Sequence, residues 1–318
     1  MPTNYSPIHD WTTYGSYLAN QKLSAQMRAQ ALGLFVYRQF VDKKDGIGAN
    51  AGDVITFSKR LRIDTRGTTL VETSQMTART IKITKGTCSV SEFGNKVNYG
   101  QKAETLSKFD IKAEYGKGLT DDQVDAIDLN IYNQFATAKF KATATNTGKT
   151  HIQIMTNGTA TSTATNAVSV GQMRYITDYA KKAHIPKLGT MYVCVGATDF
   201  ISGLYDELQS VAQYAEPEFR FKDEVGKYYG VRFVEDNMQA DNSAGGSNFG
   251  EAFLFGDEAV VEALALPEEL RYYEEEGGRF KFLMWYAILG HAKMWDRVVD
   301  GTSSDLNGLE RIIHITSK

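Results

Sequence analysis

Between Asp53 and Ile63 the chain alternates. Ile55, Phe57, Leu61 and Ile63 share one parity and Thr56, Ser58, Arg60 and Arg62 the other, which is the period of a strand with one apolar face. Lys59 alone breaks the apolar row. A second run, residues 78–90, sets Ile81 and Ile83 against Thr80, Lys82 and Thr84, so the two runs predict a long hairpin joined by the polar stretch 64–77. After Gly86 the apolar parity switches to Cys88 and Val90, which predicts a bulge there. An isolated ribbon is marginal in water, so this one needs a surface to lie on.

Other periods are helical. Residues 1–20 have none and read as an extended arm, and Leu23, Met27, Ala31, Leu34 and Val41 predict a helix over 21–41 that stops at the polar run 42–53. Further on, Thr120 with Gln123 matches a capping box, and Leu119 with Val124 matches its hydrophobic staple. Acidic residues 121, 122 and 125 follow, Lys139 and Lys141 come late, and Val124, Ile127, Ile131, Phe135 and Ala138 form a stripe. These predict a helix of about six to seven turns over 119–145.

Residues 146–167, rich in Thr, Asn and Gly, read as a surface loop or junction. Ser169 with Gln172 and Val168 with Met173 repeat the box and staple, predicting a helix to about Ala183 that breaks at Pro186. The remaining pattern predicts strands at 190–197, 227–236 and 251–256, helices at 198–215 and 257–266, a long strand region over 279–299, and a last strand near 310–316.

The chain has 318 residues, 42% hydrophobic and 23% charged, enough for one large or two medium domains with a proper core. Its net charge of −3 supplies no overall basic field to recruit nucleic acid or an anionic membrane. The greasiest run, 282–290, is far shorter than the roughly 20 residues of a membrane helix. With two cysteines far apart and no leader-like opening, the expectation is a cytosolic chain with packed thiols.

Candidate chemistry is sparse. The five histidines lack metal-ligand spacing, and neither cysteine has a second cysteine three residues away. "NTGKT" lacks the glycine that a phosphate loop requires five positions earlier, and the glycines of 46–52 have the wrong spacing for a dinucleotide turn. Cys194, near a strand end before a helix, is the one candidate nucleophile, weighed against a small buried hydrophobe in a central strand. The glutamates of 268–276 read as a solvated loop tip and His291 as a core histidine. No catalytic, cofactor or metal residues are assigned.

Assembly has more support. Arm, ribbon and long helix all leave apolar surface that a second copy can cover. Burying Ile55, Phe57, Leu61, Ile63, Ile81 and Ile83 against it is worth on the order of 10 kcal/mol before ordering costs. Lys59, Arg60, Arg62, Arg79 and Lys82 would meet acidic patches there and set register.

This order of elements resembles the tailed-phage major capsid proteins of the HK97-like fold. The strings "GDVITFSKR", "YYGVRFVEDN" and "FLFGDEAVVEAL" look like their phage N4-like branch. The resemblance implies an α+β fold with an N-terminal arm and helix (1–45), an extended hairpin loop (46–100), a peripheral domain with a spine helix (101–167), an axial domain (168–278) and return strands (279–318). It also implies hexamers and pentamers in an icosahedral shell around double-stranded DNA held without sequence preference. Assembly in the host cytoplasm is implied, with portal, scaffold and cementing proteins as partners and no membrane. The 64–77 connection has no lysine, so the shell is expected to cohere without the lysine–asparagine crosslink of some relatives. Alternatives are a cellular nanocompartment shell of the same fold, a Cys194-dependent hydrolase, and a trimeric adhesin or tail component.

Overall fold

The computed structural model describes residues 35–45, 52–60, 63, 67–70, 72–76, 78–81, 83–145, 152–159, 164–204, 227–236, 250–295 and 310–317. The expected arm, residues 21–34 of the expected first helix, and Leu61, Arg62 and Lys82 lie outside these. Strands in chain order are β1 (Asp42–Asp45), β2 (Val54–Arg60), β3 (Ile83–Ser89), β4 (Ser91–Gly100), β5 (Phe140–Thr143), β6 (Gln153–Met155) and β7 (Tyr192–Gly196). They continue as β8 (Lys227–Tyr228), β9 (Val231–Glu235), β10 (Glu251–Phe255), β11 (Val260–Glu275), β12 (Phe280–Lys293) and β13 (Ile312–Thr316). The helices are α1 (Gln101–Leu106), α2 (Ile111–Ala136), α3 (Val170–Lys182) and α4 over 198–204.

A seven-stranded mixed sheet runs β6-β5-β13-β10-β7-β9-β8. β7 is buried along its whole length because both faces are covered. Tyr192 and Cys194 pack on the α3 side with Leu254, Ile313, Met173 and Ile176, while Val193 and Val195 pack on the other side with Phe253, Phe255 and Ile131. The α3 box forms as expected, with Ser169 Oγ accepting from the Gln172 amide at 3.2 Å and Gln172 Oε1 accepting from the Ser169 amide at 3.0 Å. Its end closes through the amides of Ile185 and His184, which donate to Ala180 and Lys181 at 3.1 Å each, with His184 in the left-handed region.

Helix α2 is long, as expected, but displaced. It starts at Ile111, capped by Asp110, whose Oδ1 accepts from the Ala113 amide at 3.1 Å. Thr120 therefore sits mid-helix and its hydroxyl donates back to Gly116 O at 2.9 Å. Gly116 lies within the helix and faces β11 and β12, where a Cβ would make ordinary contacts of 3.7 Å to Leu283 and 3.8 Å to Leu270. At the other end Lys141 Nζ donates to Ala136 O at 2.9 Å, and the chain from Phe140 leaves to pair with β13. The 26 residues span about 39 Å. That length bridges two sheets: Leu119 shares a cluster with Leu283 and Trp285, and Phe135 packs its ring 4.8 Å from Phe255.

The second sheet runs β1-β11-β12-β4. The helix expected over 257–266 is instead the start of β11. Its Ala, Glu and Leu residues favour a helix locally, but both of its edges are paired, to β12 and to β1, and Val260, Val261 and Ala263 are fully buried. The glutamates of 268–275 also belong to this strand, and only Glu276–Gly278 form the turn. Pro267 falls where the ladder register shifts. The expected single strand at 227–236 is a short hairpin with a turn at Tyr229 and Gly230, both at positive φ. The expected loop 146–167 contributes edge strand β6, and residues 35–45 hold a 3₁₀ turn, Arg38–Phe40, and β1 instead of a helix end.

β11 pairs with β12 across residue 279, and β13 joins the same sheet as β5 and β7.

Candidate inter-subunit surface

Strands β2 and β3 pair without a register shift from Val54↔Ser89 to Arg60↔Ile83, so there is no bulge at Gly86. The parity switch has another cause. Even positions of β3 face the protein body, and Cys88 is buried with Val261 and Ala263, against which Ile55, Phe57 and Val90 pack. Ile83 points the other way and is 67% exposed. The expected single apolar face is thus split between two sides. Ile55 and Phe57 lie on the chain's own β11 and β12, while Val54, Ile63, Ile81 and Ile83 are exposed.

Lys59 belongs to the docked side. It is only 9% exposed and its Nζ lies 5.7 Å from the Trp295 ring centroid. A Cβ at Gly86 would stand 2.6 Å from Lys59 Nζ and 2.7 Å from Cε, so the missing side chain is the slot through which the lysine passes. At the hairpin root, a Cβ on Gly290 would stand 2.0 Å from Ser89 O, so glycine is needed where β12 crosses under β3. Beyond the root, Arg60, Ile63, Arg79 and Ile81 are all exposed, as are Leu70 and Met76.

An acidic, aromatic surface lies at the far end of β11–β12. Glu269, Glu274, Glu275 and Glu276 are exposed there, with Leu270, Tyr272 and Tyr273, and Arg271, Arg279 and Lys281 pair with Glu269, Glu276 and Glu274, which leaves an excess of acid. Lys112 Nζ sits 3.9 Å over the Tyr272 ring.

Beneath these surfaces is a charged network that sequence reasoning missed. Arg38 grips Glu262 with two hydrogen bonds of 3.1 and 2.8 Å and also pairs with Glu268. His291 Nε2 lies 3.7 Å from Glu262 Oε2, and Asn130 Nδ2 approaches His291 Nδ1 at 3.0 Å. Burial pushes the Glu262 carboxyl up, but the adjacent His291 ring and the hydrogen bonds and charge of Arg38 outweigh it and hold the group at about 2. Asp128 accepts from the amides of Val36, Tyr37 and Arg38 at 3.0–3.2 Å, fastening the N-terminal segment to α2. Burial raises its pKa despite those bonds. The signal for Glu262 was present: one acidic residue inside an otherwise apolar run.

A second buried group gathers Tyr132, Glu251, His314 and Lys141. The Tyr132 hydroxyl donates to Glu251 at 2.5 Å, His314 pairs with Glu251, and Lys141 Nζ approaches His314 Nδ1 at 2.5 Å. Cys194, the candidate nucleophile, is fully buried in central strand β7, and burial pushes its thiol far up. That is the setting of a packed hydrophobe, since a reactive thiol needs access and nearby positive charge. Among the described residues no group of three or more His, Cys, Asp or Glu could hold a metal ion, and no helix is long and apolar enough to cross a membrane.

No protein-family model and no curated protein matches the sequence. Solved structures do. The chain is similar to the acid-stable capsid of Helicobacter pylori bacteriophage KHP30, at 12% identity over 100% of each chain with a TM-score of 0.69. It is similar to the head of Helicobacter pylori bacteriophage KHP40, at 12% identity over 99% of each chain and a TM-score of 0.69. For the capsid of cyanophage P-SCSP1u the identity is 11%, over 95% of this chain and 94% of that one, with a TM-score of 0.65. Such likeness over whole chains defines the class: an α+β protein with the HK97-like capsid fold.

Proposed function

We propose that this chain is the major capsid protein of a tailed double-stranded DNA bacteriophage, a structural subunit that assembles with its own copies into the icosahedral head shell. One observation carries the reading. The hairpin is anchored on one side by Ile55, Phe57 and Lys59, and on its other side it exposes Val54, Arg60 and Ile83, with Ile63 and Ile81 exposed beyond the paired strands. A ribbon held this way offers its outer face to a neighbour. The excess of carboxylates at the end of β11–β12, partly paired within the chain, supplies charge that Arg60, Arg79 and Lys85 would meet on an adjacent copy. Leu61, Arg62 and Lys82 belong to the same proposed contact.

Within this reading, hexamers and pentamers enclose nonspecifically held DNA, assembly takes place in the host cytoplasm, and portal, scaffold and cementing proteins complete the particle. The role is structural and not enzymatic. Placement in the N4-like branch is supported by the strings at 52–60, 228–237 and 253–264. The 64–77 connection without lysine supports noncovalent cohesion, and a ladder of multimers on denaturing gels would contradict it.

The test is electron microscopy of the expressed protein together with an Ile83→Asp variant. Ile83 is exposed in the single chain, so the variant is expected to fold with stability unchanged within about 0.5 kcal/mol and to lose shell formation. Shells of normal yield from the variant, or an unsubstituted protein that never associates, would refute the proposal. Particles filled with protein cargo instead of DNA would point to a nanocompartment.

A further inference from the structure

The helices covering opposite faces of the seven-stranded sheet carry opposite charge. Along α2, Lys112 and Lys117 stand against Glu114, Asp121, Asp122, Asp125 and Asp128. From the start of α3 to Lys187, four cations, Arg174, Lys181, Lys182 and Lys187, stand against Asp178 alone. All four cations are exposed. Helix α4 packs on the same side as α3 and adds exposed Asp199, so the α3 side of the sheet keeps an excess of cations in a chain whose net charge is −3.

This patch is organised. The β8–β9 turn delivers Tyr229 beneath it, with Lys181 Nζ at 4.1 Å and Arg174 Cζ at 5.2 Å from the ring centroid. The Tyr229 hydroxyl and Lys181 Nζ both donate to Asp178 Oδ1 at 3.1 Å. Tyr229 has φ 49, the left-handed conformation that a two-residue turn usually assigns to Asn or Gly. An aromatic residue accepted there fixes the ring under two long cations and reduces the ordering they must undergo on binding an anion.

We infer that the α3 face is the wall of the protein that contacts the phosphate backbone of duplex DNA. The inference rests on the shell reading. A shell one chain thick has two sides, and turning the basic side toward an enclosed polyanion lowers its electrostatic energy. Four cations, one of them shared with Asp178, give a weak contact without sequence preference, which lets the duplex slide.

The test uses the purified full-length chain and a short mixed-sequence DNA duplex, with binding followed against salt concentration from low salt upward. Two triple variants are compared: Arg174→Gln, Lys181→Gln, Lys182→Gln on the α3 face, and Lys102→Gln, Lys108→Gln, Lys117→Gln elsewhere, all at exposed positions. The α3 variant is expected to flatten the log–log salt slope by about 2–3 and to weaken binding on the order of 100-fold at about 0.1 M salt, whereas the second stays near the unsubstituted protein. Equal losses in both, an unchanged slope in the α3 variant, or no binding by the unsubstituted chain at low salt would each overturn the inference. Electron micrographs of the same samples separate it from the parent reading. Absence of shells from the unsubstituted protein sinks the shell proposal, while normal shells with an unchanged slope in the α3 variant sink only this one.

Discussion

Replacing Gly86 by Ala tests how the hairpin is held. The added methyl would stand 2.6 Å from Lys59 Nζ and 2.7 Å from Cε, while the next nearest atom, Met294 O, is 3.6 Å away. The obstacle is therefore the mobile end of one side chain, and the protein can relieve it by letting Lys59 swing out. What is lost is the lysine's stacking on Trp295, worth roughly 0.5–2 kcal/mol for a partly desolvated cation–π contact, and part of the packing of its stem. Gly86→Ala should thus destabilise the unassembled chain by about 1–2 kcal/mol, offset by a few tenths from the lower entropy of the unfolded chain. Chemical denaturation read through tryptophan fluorescence measures it. The decisive experiment is the double-mutant cycle with Lys59→Ala: once the lysine is truncated, the methyl meets only Met294 O at an ordinary contact distance of 3.6 Å, and Gly86→Ala should become neutral or slightly stabilising. That coupling, about 1 kcal/mol or more, is the signature. Strict additivity would refute the slot, since it would mean that the two residues do not compete for space.

Three further outcomes follow from the packing. Asp110→Ala should cost about 1 kcal/mol as the loss of an N-cap, whereas Thr120→Ala, inside the helix, should fall within about 0.5 kcal/mol of neutral; the reverse order would place the start of α2 wrongly. Glu262→Ala should cost about 2–3 kcal/mol through loss of the charge-assisted hydrogen bonds from Arg38, which keeps Glu268 as a partner, and a loss below about 1 kcal/mol would contradict the network. His314 gives a pH dependence. Burial lowers its pKa, more than hydrogen bonding and the charge of Glu251 raise it, and Lys141 adds to the lowering. The unfolded chain therefore takes up a proton near pH 6.5 that the folded chain takes only at lower pH, so this contribution to stability is complete above about pH 6.5 and declines below it. Between about pH 5 and 6.5, above the range where Glu251 and Glu262 titrate, His314→Gln should remove up to about 1.4 kcal/mol per pH unit of slope. Denaturation at several pH values reads it, and identical slopes in the two proteins would exclude His314 as the source.

Much of the fold was legible in the residue pattern because its signals are local. The Ser169–Gln172 box, the break before Pro186 and the apolar run of β7 each depend on neighbours a few positions away, and all formed as expected. Period two located the hairpin strands, and Cys194 read correctly as packed. Other features depended on contacts distant in sequence. Residues 260–266 became strand because β1 and β12 pair with both edges, against their helical propensity. Thr120 offered a cap that α2 did not use, because Asp110 caps the helix further upstream and Ile111, Tyr115 and Leu119 of the added turns pack into the core. The candidate contact surface divides in the same way. Sequence alone determined which residues alternate along the ribbon. Only the tertiary structure decided that Ile55, Phe57 and Lys59 turn inward while Ile83 turns outward, because the side of a strand that is buried is set by what β11 and β12 place beneath it.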